Sequence, residues 1–153
     1  MNLHVIAVGR ARRDPCAALY ADYAARLAWP IHLKEVEDRR GGSGDERRRR
    51  EGDLLLAAVP DGAIAVALDA GGQPLDSEAL AARIGRWQDS GTRDLAFVIG
   101  GANGLAPAVL QRADFTLSLG ALTWPHMLVR AMLCEQVYRA GSILSGHPYH
   151  RGH

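Results

Sequence analysis

In the last third of this 153-residue chain, His126, Glu135, Arg139, His147, Tyr149, His150 and Arg151 carry groups that move protons, hold anions or contact RNA. Imidazoles titrate nearest neutral pH and serve as acids or bases, while guanidiniums grip phosphate or stabilise a developing anion. Glu135 and Arg139 stand four apart with the acid first, the favoured order for a helical ion pair. Their neighbours Leu128, Met132, Leu133, Cys134 and Val137 are apolar, so the helix is expected to be buried on more than one side. Arg139 is therefore as open to a structural role as to substrate binding. The tail Gly146 to His153 cannot continue a helix, because Gly146 and Pro148 end one. A solvated terminus is the default for such a tail. A metal site of His147, His150 and His153 would lack an acid or cysteine ligand, and no metal is expected.

These groups need a scaffold, and the hydrophobic pattern describes one. Leu3 to Val8, Ile31 to Val36, Ala63 to Leu68, Leu95 to Ile99 and Phe115 to Leu119 have the length and β-branched content of strands. Helical spacing covers 15 to 28, 45 to 59, 77 to 89, 106 to 112 and 125 to 140. Alternation of this kind predicts an α/β fold, a mainly parallel sheet with helices on both faces, within a single domain over 1 to 153. Two loops then fall at the carboxyl ends of strands, where open α/β sheets bind ligands. One is Gly100-Gly101-Ala102-Asn103-Gly104, which by itself is equally well a turn that merely needs glycine. It is neither Gly-x-Gly-x-x-Gly nor a P-loop, so a dinucleotide or NTP phosphate site is not supported. The other is Gly120 to Pro125, in which Thr123 is expected to cap the last helix and Pro125 to sit in its first turn.

The formal net charge is +1, so affinity for a polyanion must come from local patches. Arg47 to Arg50, after a glycine-rich stretch, reads either as the solvated start of a helix or as a phosphate-contacting patch, and both can hold together. Cys16 and Cys134 are the only cysteines and are expected to be packed free thiols. No apolar run approaches a membrane span and no signal peptide is visible, which makes a cytoplasmic location the expectation.

Met1 to Gly9, Leu68 to Gly72, Val98 to Gly104, Phe115 to His126 and His147 to Arg151, in this order and spacing, resemble the ribosomal large-subunit methyltransferase H family. These are pseudouridine-N3 rRNA methyltransferases of the SPOUT superfamily, whose members carry a deep C-terminal trefoil knot. The resemblance alone implies the knot, since pattern reasoning disfavours threaded chains. It further implies S-adenosylmethionine as cofactor, held by Leu68, Gly100, Gly101, Gly120, Ala121, Leu122, Thr123, Trp124 and Pro125. It implies that Tyr149, His150 and Arg151 fold over this pocket and contact RNA; on the phosphate-patch reading of the arginine run, Arg48 and Arg49 are further substrate contacts. His126 and His150 are the candidate bases, and Arg139 and Arg151 would hold phosphate or stabilise the N3 anion. A homodimer paired through the last helix is implied too, and the small size of the chain suggests that the assembled ribosome supplies much of the recognition surface.

Two rivals stand beside this reading. One is a SPOUT enzyme acting on another RNA such as tRNA, and the other a non-catalytic nucleotide-binding α/β module, against which the missing phosphate motif argues. A hydrolase using Cys134 or Ser118 would require an elbow motif that is absent. Which histidine is the base, which subunit supplies each group, and why pseudouridine is chosen over uridine are not written in the residues.

Overall fold

Strands apolar on both faces must be covered on both sides, and the computed structural model, which describes residues 1–152, meets that demand with one five-stranded sheet. The strands are β1 (Asn2–Val8), β2 (Ile31–Val36), β3 (Ile64–Pro74), β4 (Asp94–Ile99) and β5 (Phe115–Ser118). Every pairing is parallel and the order is β2-β1-β4-β3-β5. The helices are α1 (Pro15–Ala24), α2 (Gly44–Ala58), α3 (Ser77–Asp89), α4 (Pro107–Arg112) and α5 (His126–Ser145), followed by a 3-10 turn at Pro148–Gly152.

Side chains alternate along a strand, so each strand feeds two cores. Leu3, Val5, Phe97 and Leu117 face Leu80 and Ile84 of α3 and Leu133 and Val137 of α5, with Tyr20 of α1 packed alongside. Ile6, Val8, Ala67, Ala96 and Val98 face the other way, onto Leu55 of α2 and Val109 of α4. The chain therefore leaves adjacent strands β1 and β4 toward opposite faces. That reversal is a topological switch point at the carboxyl edge of the sheet, the edge at which open α/β sheets place ligands.

Several boundaries depart from the sequence expectation. β3 runs on through Asp69 to Pro74 instead of stopping at Leu68, with a register shift on β5 so that Leu68 and Gln73 both lie opposite Leu117. Gly72 is there for close approach, since a Cβ would lie 2.6 Å from the Thr116 carbonyl oxygen. α1 ends at Ala24 rather than at 28. α5 passes through Gly141, which lies against the Trp29 ring, and stops at Gly146 in the left-handed region at φ 75°. Thr123 does not cap it: Pro125, in extended geometry at ψ 133°, takes the capping position without a side-chain bond, and His126 is the first helical residue. Proline's fixed φ and missing N–H make it a suitable entry residue there.

Among the described residues no helix is long and apolar enough to cross a membrane, and no three His, Cys, Asp or Glu side chains gather as metal ligands. His153 lies outside the described residues. Both cysteines are free, and burial pushes the Cys134 thiol up to about 12, far from a reactive thiolate.

Candidate active site

A cavity of about 570 Å³ opens where the carboxyl ends of β3, β4 and β5 meet the start of α5. Its walls bring together Leu68, Gly100, Gly101, Gly120, Leu122, Thr123, Trp124 and Pro125, with His126 at the edge. Of the residues expected to surround a cofactor only Ala121 stands outside, exposed on the loop. Asp69, Ile99, Ala102 and Val129 join the wall without having been singled out in the sequence. Asp69 is the only carboxylate among the lining residues, and its side chain accepts from the Gly71 N–H at 2.8 Å.

Both glycine loops have a steric reason for their composition. A Cβ on Gly100 would lie 2.8 Å from the Gly104 backbone, and one on Gly101 would lie 2.9 Å from Val8 Cγ1 and 3.2 Å from Glu51 Oε2. Glu51 of α2 is thus buried directly behind the turn, and its Oε1 has no hydrogen-bond partner among the described residues. Around the other loop, the buried Ser118 hydroxyl accepts from the Gly120 N–H at 3.1 Å, and Gly120 takes a φ of 108°. The indole of Trp124 donates to the Leu119 carbonyl at 3.3 Å. Leu122 is 69% exposed at the rim, an apolar group in water beside a largely apolar cavity.

His126 is half-buried, and desolvation first and the Arg130 charge second hold its imidazole below the ordinary histidine value. It is therefore neutral near pH 7 and able to accept a proton. Gly9, at the end of β1, faces it: a Cβ there would lie 3.5 Å from His126 Nε2, and φ is 95°.

A second cluster sits toward the other end of α5. Glu135 Oε1 accepts from Arg139 Nε at 3.1 Å and from the Tyr149 hydroxyl at 3.0 Å. Arg139 Nη1 donates to His150 Nδ1 at 3.2 Å, and the guanidinium lies 4.8 Å from the Tyr149 ring centre. Tyr149 also reaches the Tyr23 hydroxyl on α1 at 3.3 Å, and its ring meets Tyr138 edge-on at 4.7 Å between centres. The Glu135 carboxylate keeps Arg139 firmly charged, whereas burial first, then the bonds to Tyr23 and Glu135, push the Tyr149 phenol up. Arg151 is exposed beside this cluster. Thirteen residues of helix separate His126 from Arg139, about 20 Å along the axis. The tail of a chain therefore packs on its own α1 and α5 and not over its own cavity. A groove of about 650 Å³, bounded by Tyr23, Met132 and Glu135, runs from near this cluster to the far side of the Gly120 loop.

The arginine run divides. Arg48 pairs with Asp45 at 3.0 Å, Arg50 turns inward to Asp38 at 3.0 Å and to the Gly41 carbonyl at 2.6 Å, and Arg49 stays exposed. Three further residues of consequence were not legible as site residues. Ser118 shapes the loop, Gly9 meets His126, and Arg130 is buried four residues along α5 from His126. Only Arg130 left a local signal, a charge within the apolar run from Met127 to Cys134.

The sequence matches the model of the predicted SPOUT methyltransferase family over residues 1–150. The ribosomal RNA large subunit methyltransferase H of Rhodospirillum centenum is 60% identical over 151 residues, 99% of each chain. The protein of that name from Paramagnetospirillum magneticum is 52% identical over 151 residues, again 99% of each. Among solved structures, a probable methylase family protein of Haemophilus influenzae aligns with a TM-score of 0.60 at 8% identity, covering 97% of this chain and 70% of that one. A probable methyltransferase of Bordetella pertussis aligns at 0.57 with 15% identity, covering 91% and 95%. Those two likenesses concern the fold, while the sequence matches extend over essentially the whole length. The chain belongs to the SPOUT methyltransferase family and, within it, to the ribosomal RNA large subunit methyltransferase H group.

Proposed function

We propose that this protein binds S-adenosylmethionine in the cavity between the Gly100 and Gly120 loops and methylates N3 of a pseudouridine in a loop of large-subunit rRNA. The observation that carries the reading is the convergence of two glycine-shaped backbone loops and a neutral imidazole on one cavity. The cavity suits the cofactor. Its volume lies within the range of small-molecule sites, apolar walls from Leu68, Leu117 and Leu119 fit the faces of adenine, and loop amides and carbonyls fit its edge. Asp69 is a suitable counter-charge for a cationic ligand.

When bound, S-adenosylmethionine supplies an electrophilic methyl group on a sulfonium. The protein's own tasks are to align the target nitrogen with that methyl and to take the proton that N3 carries. His126, neutral and at the cavity edge, accepts the N3 proton as the methyl is transferred, and alignment supplies much of the remaining rate enhancement. Arg139, Tyr149, His150 and Arg151 serve the substrate: the guanidiniums hold phosphate or the N3 anion, and the tyrosine and histidine rings contact the splayed-out base. Tyr149 and His150 bond Glu135 and Arg139, which lie about 13–20 Å along the axis of α5 from His126, so in this proposal these groups serve the cavity of a second subunit, and the active form is a homodimer. Arg48 and Arg49 extend the RNA contact. The C-terminal trefoil knot, a cytoplasmic location and recognition of the assembled ribosome belong to the same proposal.

The test is transfer of labelled methyl from S-adenosylmethionine to ribosomes lacking this modification, with the modified nucleotide identified by mass spectrometry. Label on a large-subunit pseudouridine, and little on a naked RNA hairpin at equal concentration, is the expected result. Cofactor binding with label only on tRNA would overturn the substrate, and no cofactor binding would overturn the whole reading.

A further inference from the structure

Arg130 is 3% exposed, on the face of α5 turned toward the sheet. A buried guanidinium is costly unless its donors are met; here Nη1 and Nη2 are met by one small region, while Nε has no hydrogen-bond partner among the described residues. Nη1 donates to Glu35 Oε2 on β2 at 2.6 Å, and Nη2 donates to the carbonyls of Val8 at 3.1 Å and Gly9 at 2.9 Å. Glu35 Oε2 in turn accepts the Ala11 N–H at 2.5 Å. The network thus gathers the end of β1, the residues that follow it and the end of β2 beneath the first turn of α5. At its centre is Gly9, which has no side chain and a positive φ, and which faces the ring of His126 one helical turn before Arg130.

We propose that Arg130 is a positioning residue for the reaction: by gripping the Val8 and Gly9 carbonyls and Glu35, it holds the Gly9 turn against His126 and sets the orientation of that imidazole at the cavity. This rests on the assignment of His126 to proton transfer. Arg130 does not touch the substrate in this arrangement. It acts through the turn it holds and through its charge, which is balanced on the far side by Glu35. The charged groups around the imidazole are Arg130 on α5, Glu35 on β2 behind it, and Asp69 on β3 in the same cavity. Burial alone would raise the Glu35 carboxyl, but Arg130 and the Ala11 N–H hold it below the usual carboxylate range, so the pair is fully ionised at neutral pH.

Substitution separates the charge of Arg130, read in the His126 midpoint, from its grip on the turn, read in kcat. In Arg130→Met, the uncompensated Glu35 carboxylate would favour the charged imidazole and move the His126 midpoint up. In Glu35→Gln, the uncompensated guanidinium would move it down. Arg130→Lys keeps the charge but not the fork, so the midpoint stays near the wild-type value while the grip on the two carbonyls is lost. The experiment is an NMR titration of ring-labelled His126 in the full-length protein and these three variants, with kcat and KM for ribosome methylation measured on each. Opposite shifts for Arg130→Met and Glu35→Gln, with a fall in kcat of about tenfold or more and little change in KM for Arg130→Lys, are expected. Unchanged His126 midpoints in variants that remain folded, or an Arg130→Lys protein with wild-type kcat, would overturn the proposal. A failure of the function reading looks different: the titration shifts would persist while the wild type itself labelled no ribosome. Should Arg130→Met not fold, Glu35→Gln and Arg130→Lys still decide the matter.

Discussion

Glu51 shows how one buried carboxyl makes stability depend on pH. It is 4% exposed, lies behind Gly101, and is pushed above the ordinary carboxyl range by burial first, with the Asp38 carboxylate adding to the shift and Arg47 and Arg50 opposing it. A carboxyl whose folded pKa is raised favours the folded state below its unfolded value, and that contribution is lost as pH rises through the folded value. Asp38 behaves oppositely. Burial would raise it, but Arg50 and the Arg40 N–H hold it low, so its contribution is lost only as pH falls below the usual carboxylate range. The two windows do not overlap. Glu51→Gln, neutral and of the same shape, should therefore melt above wild type at about pH 8, with the advantage shrinking toward about pH 5. Thermal melts followed by circular dichroism at the two pH values check this. A variant less stable than wild type at both would mean that the carboxylate has a partner worth more than its burial costs.

At the level of elements, β3 and β5 depend on a glycine that the sequence pattern treats as a terminator. A side chain on Gly72 would meet the Thr116 backbone at 2.6 Å and 2.7 Å, and main chain held in a sheet cannot step aside as a flexible side chain can. Gly72→Ala should lower unfolding free energy by about 1–3 kcal/mol, whereas Gly41→Ala, with nothing within 4 Å, should stay close to wild type. Urea titration of the two variants, with equal slopes, would establish the difference, and equal midpoints would refute it. The same glycine explains what the sequence could and could not say. Apolar runs such as Leu3 to Val8 and Leu95 to Ile99 show themselves as strands because burial on both faces leaves no other residue type possible there. The expected strand stops at Leu68, before Asp69-Ala-Gly-Gly72, because local rules know glycine as flexible and not as the position where a neighbouring strand forbids a side chain. The glycines of the two cavity loops are visible for the complementary reason, standing at the carboxyl ends of clear strands. Gly9 meets His126 and Arg130 across more than a hundred residues of chain, and no local period encodes such a meeting.

For the molecule as a whole, the separation along α5 turns the dimer into a claim about where the active site is assembled. One chain carries a cavity with His126 at the start of the helix and the Glu135, Arg139, Tyr149 and His150 cluster further along it, about 13–20 Å along the axis. A two-fold pairing that set two copies of α5 antiparallel would bring the tail of each subunit toward the cavity of the other, since an isologous interface repeats every contact in both directions. Under that arrangement His126→Ala and a Tyr149→Phe/Arg151→Ala double variant damage different halves of one composite site, and each is expected to be inactive as a homodimer. Mixing them in equal amounts under exchange makes about half the dimers mixed, each with one site built from an intact cavity and an intact tail. About a quarter of wild-type methylation should then return, measured with the ribosome assay at fixed total subunit. If each chain instead completed its own site, every site in the mixture would lack one component and activity would stay at the level of the parents. A sedimentation profile showing only monomer at the assay concentration, with the wild type active, would remove the composite site altogether.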